Sequence, residues 1–287
     1  MKLFNVLVLA AALTFATTVQ AIGAGSSASG SGNSGLTVMG GFNASHMDYR
    51  ETENGTTLDR DYGDLGGIHV GVRYENRAFW SRLTADYTWT NNATYDGALQ
   101  DLEGNTTPYK SSTSEKIYLY EGDVGYKLFN EGAATLTPYV GLGYRFWRRG
   151  TNSLPGYVED YTWYYWVAGL NCVWRIGRFT VGADAAALVP FSTKMTTDVA
   201  GQYDKASFNI KSRVGVGARL PLTYDIHHGR LKPFKVFVFL TPYYRYWAIK
   251  ASDTVMLTQN GVQVAQALEP DSRSHIYGAD AGVGVNF

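Results

Sequence analysis

The sequence predicts an all-β protein, a transmembrane antiparallel up-and-down β-barrel of about ten strands. Apolar and polar residues alternate through one segment after another, as in strands with one face on lipid, and short and long connections between the segments also alternate. The composition agrees, since aromatic residues make up 14% of the chain while its mean hydropathy is only −0.18. Spanning strands give this combination because only every second side chain is apolar.

Ten segments carry the alternation. They span residues 36–49, 66–75, 79–91, 115–129, 134–149, 162–176, 179–192, 207–222, 234–250 and 274–287. The short connections are 75–78, 130–133 and 176–178, and the long ones are 50–65, 92–114, 150–161, 193–206 and 251–273. This asymmetry predicts short turns on one side of the membrane and long loops, including an acid-rich, solvated stretch at 50–64, on the other.

The segment 274–287 has a uniformly apolar face that ends on Phe287. That face carries Tyr277, Ala279, Ala281, Val283 and Val285. This short segment resembles the terminal strand of bacterial outer-membrane β-barrels. The resemblance implies an outer-membrane protein of the Gram-negative cell envelope, in which Phe287 is the assembly signal for the barrel-assembly machinery.

The amino-terminal residues indicate export. Residues 1–21 combine a basic start, an apolar stretch and the small-x-small pattern Val19-Gln20-Ala21, which predicts a cleaved signal peptide. A Gly/Ser-rich flexible leader, 22–35, and a barrel, 36–287, follow. The single cysteine, Cys172, excludes an intramolecular disulfide. A formal net charge of zero gives no sign of a nucleic-acid partner, and we expect a monomer in contact with outer-membrane lipid and lipopolysaccharide.

Parity along the strands predicts which charged side chains face the lumen. The inward set is His69, Arg73, Glu75, Arg82, Asp86, Glu121, Asp123, Arg145, Asp184, Arg213, Arg219, Arg245 and Asp280. In the segment 207–222, Phe208 and Ile210 fall on the lipid face and Arg213 and Arg219 on the inner face. Both signs of charge are present, so the set predicts either a polar pore or a salt-bridged plug, and about ten strands favour the plug because small barrels hold only side chains.

Strand number, length and long outer loops make the chain similar to the omptin proteases, which are ten-stranded barrels. The resemblance implies an aspartate pair in the second outer loop and an Asp-x-His in the fourth. The second loop here has the widely spaced Asp96 and Asp101, and the fourth has Asp198 and Asp204 with no histidine. The omptin catalytic pattern is therefore absent, and we assign no catalytic residues.

Other residues leave alternatives open. His46 and His275, with Ser45 and Ser274 beside them, fall near the outer ends of two neighbouring strands, where they suit either a lipid esterase or an amphipathic girdle. Arg148 and its neighbours Arg145 and Arg149 suit phosphate contacts with lipopolysaccharide or snorkelling at the interface. The Asn260-Gly261 pair predicts a hairpin in the last outer loop.

Three functions follow as hypotheses. The first is a structural or surface-interaction barrel whose lumen is plugged by side chains. The alternatives are a narrow porin-like channel for small polar solutes and an outer-membrane hydrolase that acts on lipid or peptide. No metal or other cofactor site is predicted.

Overall fold

The computed structural model describes residues 34–53, 55–100, 106–131, 134–151, 156–199, 203–227 and 234–287, so the predicted signal peptide and almost all of the leader lie outside the described residues. Within these ranges the fold is all-β, and no helix is long and apolar enough to cross a membrane. The strands are β1 (Gly35–Glu53), β2 (Thr56–Glu75), β3 (Phe79–Gln100), β4 (Thr106–Tyr126), β5 (Phe129–Glu131), β6 (Ala134–Thr151), β7 (Tyr157–Ile176), β8 (Phe179–Val199), β9 (Ala206–Asn209), β10 (Lys211–Ser212), β11 (Gly215–Arg219), β12 (Leu222–His227), β13 (Lys235–Lys250), β14 (Val255–Gln259), β15 (Val262–Ala267) and β16 (Asp271–Asn286).

The strands close into a ten-stranded antiparallel barrel, which confirms the predicted fold class. Each long strand pairs with the next along the chain, and closure comes from β1 against β16, in register from Thr37 opposite Asn286 to Thr52 opposite Asp271. The four short segments β9 to β12 together make the eighth barrel strand, between β8 and β13. Closure pairs the first barrel strand with the last, as a lipid environment requires.

The barrel is taller than the membrane. Strands β1 to β4 and β6 to β8 each run for 18 to 22 residues, whereas about 9–11 residues suffice to cross the bilayer. Most of the residues predicted as outer loops therefore continue the strands, and the stretch 50–65 is largely paired strand. The prediction stopped these strands too early because their outer halves are polar on both faces, so the lipid-facing signal ends at the membrane surface.

Exposed side chains on the outer wall mark the height of the membrane. On β1 the outward positions from Leu36 to Ala44 are apolar, and His46, Asp48 and Arg50 come next. On the neighbouring strand β16 the outward side chains change from apolar to polar or aromatic at the same level. Ala279 lies opposite Ala44, and Tyr277 lies opposite His46. The apolar band is thus about ten residues tall and ends in an aromatic and histidine row.

The eighth strand changes phase, which corrects the predicted parity of its first half. Phe208 and Ile210 are buried in the lumen, whereas Arg213 and Val214 are both exposed on the outer wall. Two consecutive outward residues break the alternation, and the backbone pairing is interrupted there between β10 and β11. Arg213 therefore does not face the lumen, because a strand irregularity shifts every residue before it to the opposite face.

The last outer connection contains the predicted hairpin, as a separate two-stranded sheet of β14 and β15. Asn260 and Gly261 have φ of 54° and 79°, the two positive values that a type I′ turn requires. Asp204 holds this turn, since it accepts bonds from the amides of Gly261 (2.9 Å) and Asn260 (3.2 Å). Leu257 packs into the core below, so the hairpin covers the outer mouth.

Candidate functional site

The middle of the lumen holds a network of ion pairs. Arg82 donates to Asp123 at 2.7 and 2.9 Å and lies 3.4 Å from Asp184. Arg219 donates to Glu121 at 2.5 Å. The hydroxyl of Tyr139 donates to Asp184 at 2.6 Å, and the carboxylates of the network are buried. Strands β3, β4, β6, β8 and β11 are thereby joined across the barrel axis.

A second group of polar side chains lies beside this network. His69 is 2.6 Å from Asp86, which also accepts from Arg245 at 3.2 Å, and Asp280 accepts from Asn43 at 2.6 Å. One oxygen or nitrogen from each of His69, Asp86 and Asp280 falls within 4.8 Å of the others, a donor set that could hold a metal. Arg245 and Asn43 already hold the two carboxylates, so the arrangement is that of a charge network.

Ion pairs also lie at the periplasmic end of the lumen. Arg73 donates to Glu75 at 2.7 Å, and Arg175 reaches the same carboxylate at 3.1 Å. Trp80 is buried immediately above, with the guanidinium of Arg73 5.3 Å from its ring centre. This end therefore combines ion pairs with a large ring.

An aromatic layer fills the outer part of the lumen. Arg145 is 1% exposed, and its guanidinium carbon lies 4.6, 5.3 and 5.5 Å from the rings of Trp163, Trp147 and Trp247. Among the described residues no hydrogen-bond acceptor contacts its three nitrogens. Tyr165 completes the layer by lying edge-on to Trp247, at 4.9 Å. The section of the barrel at this level is occupied by rings and one guanidinium.

The extracellular mouth is built around Arg149. Its Nη2 donates to Glu51 at 2.8 Å and its Nη1 to Asp61 at 3.1 Å. Its Nε donates to Glu159 at 2.5 Å. The guanidinium is 3% exposed at its side chain, so three carboxylates from β1, β2 and β7 meet one buried cation on β6.

Further carboxylates surround this centre, which we call the acidic mouth. Its acidic members are Glu51, Asp59, Asp61, Glu115, Glu159 and Glu269. The hydroxyl of Tyr161 donates to Glu269 at 2.6 Å, and the indole of Trp147 donates to Glu115 at 2.6 Å. Six carboxyl groups thus lie around the single positive charge of Arg149. The excess of negative charge is reduced if some of these carboxyl groups keep their protons.

The acidic mouth lies above the apolar band, and burial changes its titration. Loss of hydration is the largest cause, and repulsion from Asp59 and Glu159 adds to it, so the pKa of Glu51 rises to about 8 despite Arg149. Burial likewise raises the pKa of Asp59 and Asp61 to about 6 and that of Glu269 well above its ordinary range. Protonated carboxyls then supply hydrogen-bond donors that carboxylates lack.

The structure places seven of the eight predicted network residues in the lumen. They are Arg73, Glu121, Asp123, Arg145, Asp184, Arg219 and Asp280. The eighth, Arg213, has a half-exposed side chain on the outer wall, 3.8 Å from Asp271. The acidic mouth was missed because five of its six acidic residues were assigned to loops, although Asp59 and Asp61 share the odd-numbered parity of His69.

The histidine and serine pairs at the outer rim do not come together. Ser45 and Ser274 are buried on the lumen side, whereas His46 and His275 lie on the outer wall. His46 contacts Asp64 at 2.8 Å, and His275 contacts the hydroxyl of Tyr244 at 2.9 Å. Neighbouring residues of a strand point to opposite faces, so neither serine can be activated by the histidine beside it.

Phe287 is 59% exposed at the periplasmic edge of the wall, and its amide donates to Leu36 at 2.8 Å.

The loop aspartates also have structural partners. Asp96 is exposed and accepts from Lys110 at 3.0 Å. Asp204 holds the hairpin turn, Asp198 is exposed, and Asp101 lies outside the described residues. No pair of these aspartates is brought together among the described residues.

The comparisons with known proteins agree on the fold. OmpT, the outer-membrane protease of Escherichia coli, is similar with a TM-score of 0.60, over 89% of this chain and 96% of that chain, at 10% identity. The translocator domain of NalP from Neisseria meningitidis gives 0.43 over 98% and 96%, at 12% identity, and OprG from Pseudomonas aeruginosa gives 0.33 over 88% and 95%, at 10% identity. Neither the family models nor the curated proteins give a match. At such identities the likeness concerns the fold, which is that of a bacterial outer-membrane β-barrel.

One prediction concerns the middle of the lumen. Asp184→Ala removes the acceptor of Tyr139 and one of the carboxylates around Arg82, and we expect about 1–3 kcal/mol of lost stability because the buried hydroxyl of Tyr139 is left without an acceptor while Arg82 keeps Asp123. Arg213→Ala, on the exposed wall, should change stability by no more than about 1 kcal/mol. Urea unfolding of the detergent-refolded proteins measures both. Equal effects of the two substitutions would contradict the assignment of Arg213 to the outer wall.

Proposed function

We propose that the protein is a closed barrel of the outer membrane that acts through its extracellular end and does not conduct solutes. The observation that carries this proposal is that buried side chains occupy the lumen at each of the levels described above. Ion pairs occupy its periplasmic end and middle, three tryptophans around Arg145 occupy the next layer, and the acidic mouth lies above.

Burial supports a closed lumen more than a narrow pore. Trp163 and Trp247 are at most 1% exposed, and Asp123 and Glu121 are at most 4% exposed, which a water-filled channel would not allow. Close packing is also built into the backbone, because Gly143 and Gly169 lie directly beneath the rings of Tyr165 and Tyr139, where a Cβ would collide. A ten-stranded barrel is narrow enough for side chains to close it.

The extracellular end is the part of the molecule with features beyond the needs of a membrane anchor. The strands rise well past the apolar band, and the β14–β15 hairpin lies over the mouth, fixed by Asp204. Strands that extend this far above the membrane present a rigid surface outside the lipid. This supports a surface-interaction role, and the separation of Ser45 and Ser274 from the histidines gives no support to a hydrolase.

Planar-bilayer recordings of the refolded protein test the proposal. We expect no steady conductance, since buried ion pairs and aromatic rings among the described residues occupy the lumen. The unfolded chain at the same detergent concentration is the control for leakage. Stable ohmic steps from the folded protein would favour the channel instead.

A further inference from the structure

Four arginines form a row around part of the outer wall, just above the apolar band. Arg50 on β1 lies directly opposite Arg60 on β2 and Arg273 on β16. On the next strand, β13, Ala248 lies opposite Arg273. The carbonyl of Ala248 accepts a hydrogen bond from the amide of Arg213, so Arg213 continues the row on the eighth barrel strand. We call Arg60, Arg50, Arg273 and Arg213 the arginine belt.

The belt is short of negative partners. Asp48 is shared, accepting two bonds from Arg50 and two from Arg60 at 2.7 to 3.1 Å. Asp271 is 3.8 Å from Arg213, and among the described residues no carboxylate pairs with Arg273. Asp96 lies opposite Arg60 but is paired with Lys110 at 3.0 Å, so four guanidinium groups and one ammonium group share three carboxylates, although like charges directly opposite each other destabilise a sheet. Such an arrangement is stabilised by an external anion.

The height of the belt identifies where that anion lies. The outward row immediately below it is Tyr62, Asp48, His275 and Tyr246, and the row below that contains His46, Tyr277 and Tyr244. The apolar positions begin below these rows. The belt lies four residues beyond the row of His46, Tyr277 and Tyr244, which is about 13 Å along the strands and about 9 Å along the membrane normal at a strand tilt of about 45°, so the belt is at the level of the lipid headgroups.

We propose that the arginine belt binds the phosphate groups of lipopolysaccharide in the outer leaflet. The inference rests on the proposed position of the barrel in the outer membrane and names the partner of its outer wall. Guanidinium groups bind phosphate oxygens in a bidentate manner, and the side chains of Arg50 and Arg60 remain 43% and 38% exposed for such contacts. Arg60 is further positioned by Tyr62, whose ring centre is 4.5 Å from its guanidinium.

Two other basic side chains at the outer wall differ from the belt because each has a carboxylate of its own. Arg148 also faces outward, but Asp160 already holds it with two bonds, of 2.6 and 2.7 Å. Lys110 is paired with Asp96 at 3.0 Å. The belt is therefore distinguished by adjacent, incompletely compensated arginines.

The test is a titration of the refolded full-length protein with purified lipopolysaccharide in detergent, with the affinity measured by calorimetry. The double variant Arg50→Gln/Arg273→Gln should bind at least about tenfold more weakly, since two charge-assisted contacts are removed. Arg148→Gln is the matched control and should bind like the wild type. Heat-modifiable gel migration shows that each variant is folded before the titration.

The wild type alone supplies a second test, which does not depend on the folding of a variant. Enzymatically dephosphorylated lipopolysaccharide should bind at least about tenfold more weakly than the intact form, because the belt would lose its ligand. Inorganic phosphate at the same phosphate concentration should give no response. Equal binding of the dephosphorylated form, or of the double variant, would overturn the inference, and saturable binding of free phosphate would assign the belt to a soluble anion instead. Conductance is measured without lipopolysaccharide, so a closed barrel that fails to bind it overturns this inference alone.

Discussion

Arg149→Met should destabilise the barrel by about 3–5 kcal/mol, since it leaves buried carboxylates without their cation. Arg149 donates to Glu51, Asp61 and Glu159, and the first two of these are buried. Methionine keeps most of the side-chain volume, so the loss reports charge compensation more than packing. Urea unfolding of the refolded protein at pH 7 measures it.

The neighbouring residue gives a matched control. Arg148→Met removes an arginine from the same strand, but this one faces outward, is 44% exposed and pairs with Asp160 on the surface. Its loss should cost no more than about 1 kcal/mol. If the two variants were equally stable, Arg149 would not be the buried centre of the acidic mouth.

A lower pH should rescue Arg149→Met in part. Glu51 and Asp61 take up protons more readily once the cation is removed, so the deficit relative to the wild type should shrink between pH 8 and pH 5. The deficit would stay constant with pH if the carboxylates reached water in the variant.

The sequence was sufficient for the barrel and for most of its lumen, because alternation in a half-buried strand is a strong physical constraint. Asp184 and Arg219, for instance, fall on the inner face by parity alone and are found there. The same reasoning misplaced Arg213, because a single strand irregularity inverts parity without changing composition. Phe208 and Ile210 were misplaced for the same reason.

The acidic mouth could not be recognised by the rule that located the lumen. Above the membrane both faces of a strand are polar, so Asp59 and Asp61 look like loop residues when they are read one by one. In the folded barrel Arg149 donates to Asp61, and the charge of Glu269 raises the pKa of Asp59, although both residues are distant from these aspartates in sequence. The arginine belt has the same origin, since Arg50 and Arg273 become neighbours only through the pairing of the first and last strands.

The second large effect expected is that stability falls as the pH rises from about 5 to about 8. In the folded protein the pKa of Glu51 is about 8 and those of Asp59 and Asp61 are about 6, above ordinary values of 4.5 and 3.8. Between the two sets of values the folded state binds more protons than the unfolded state, so the free energy of unfolding decreases with pH. Its contribution is fully present below pH 4 and is lost as the pH passes about 6 and then about 8.

Glu51→Gln tests this directly. The amide oxygen can still accept from Arg149 and Tyr49, as the carboxylate does at 2.8 and 2.9 Å, but the side chain no longer titrates. The variant should therefore be more stable than the wild type at pH 8, equal to it at pH 5, and less sensitive to pH in between. Asp96→Asn, on the exposed wall, should leave the pH profile unchanged. Urea unfolding at five pH values measures these differences. If the stability of the wild type rose with pH over this range, the carboxyl groups of the mouth would be ionised and compensated in the folded protein, and the raised pKa values would be wrong.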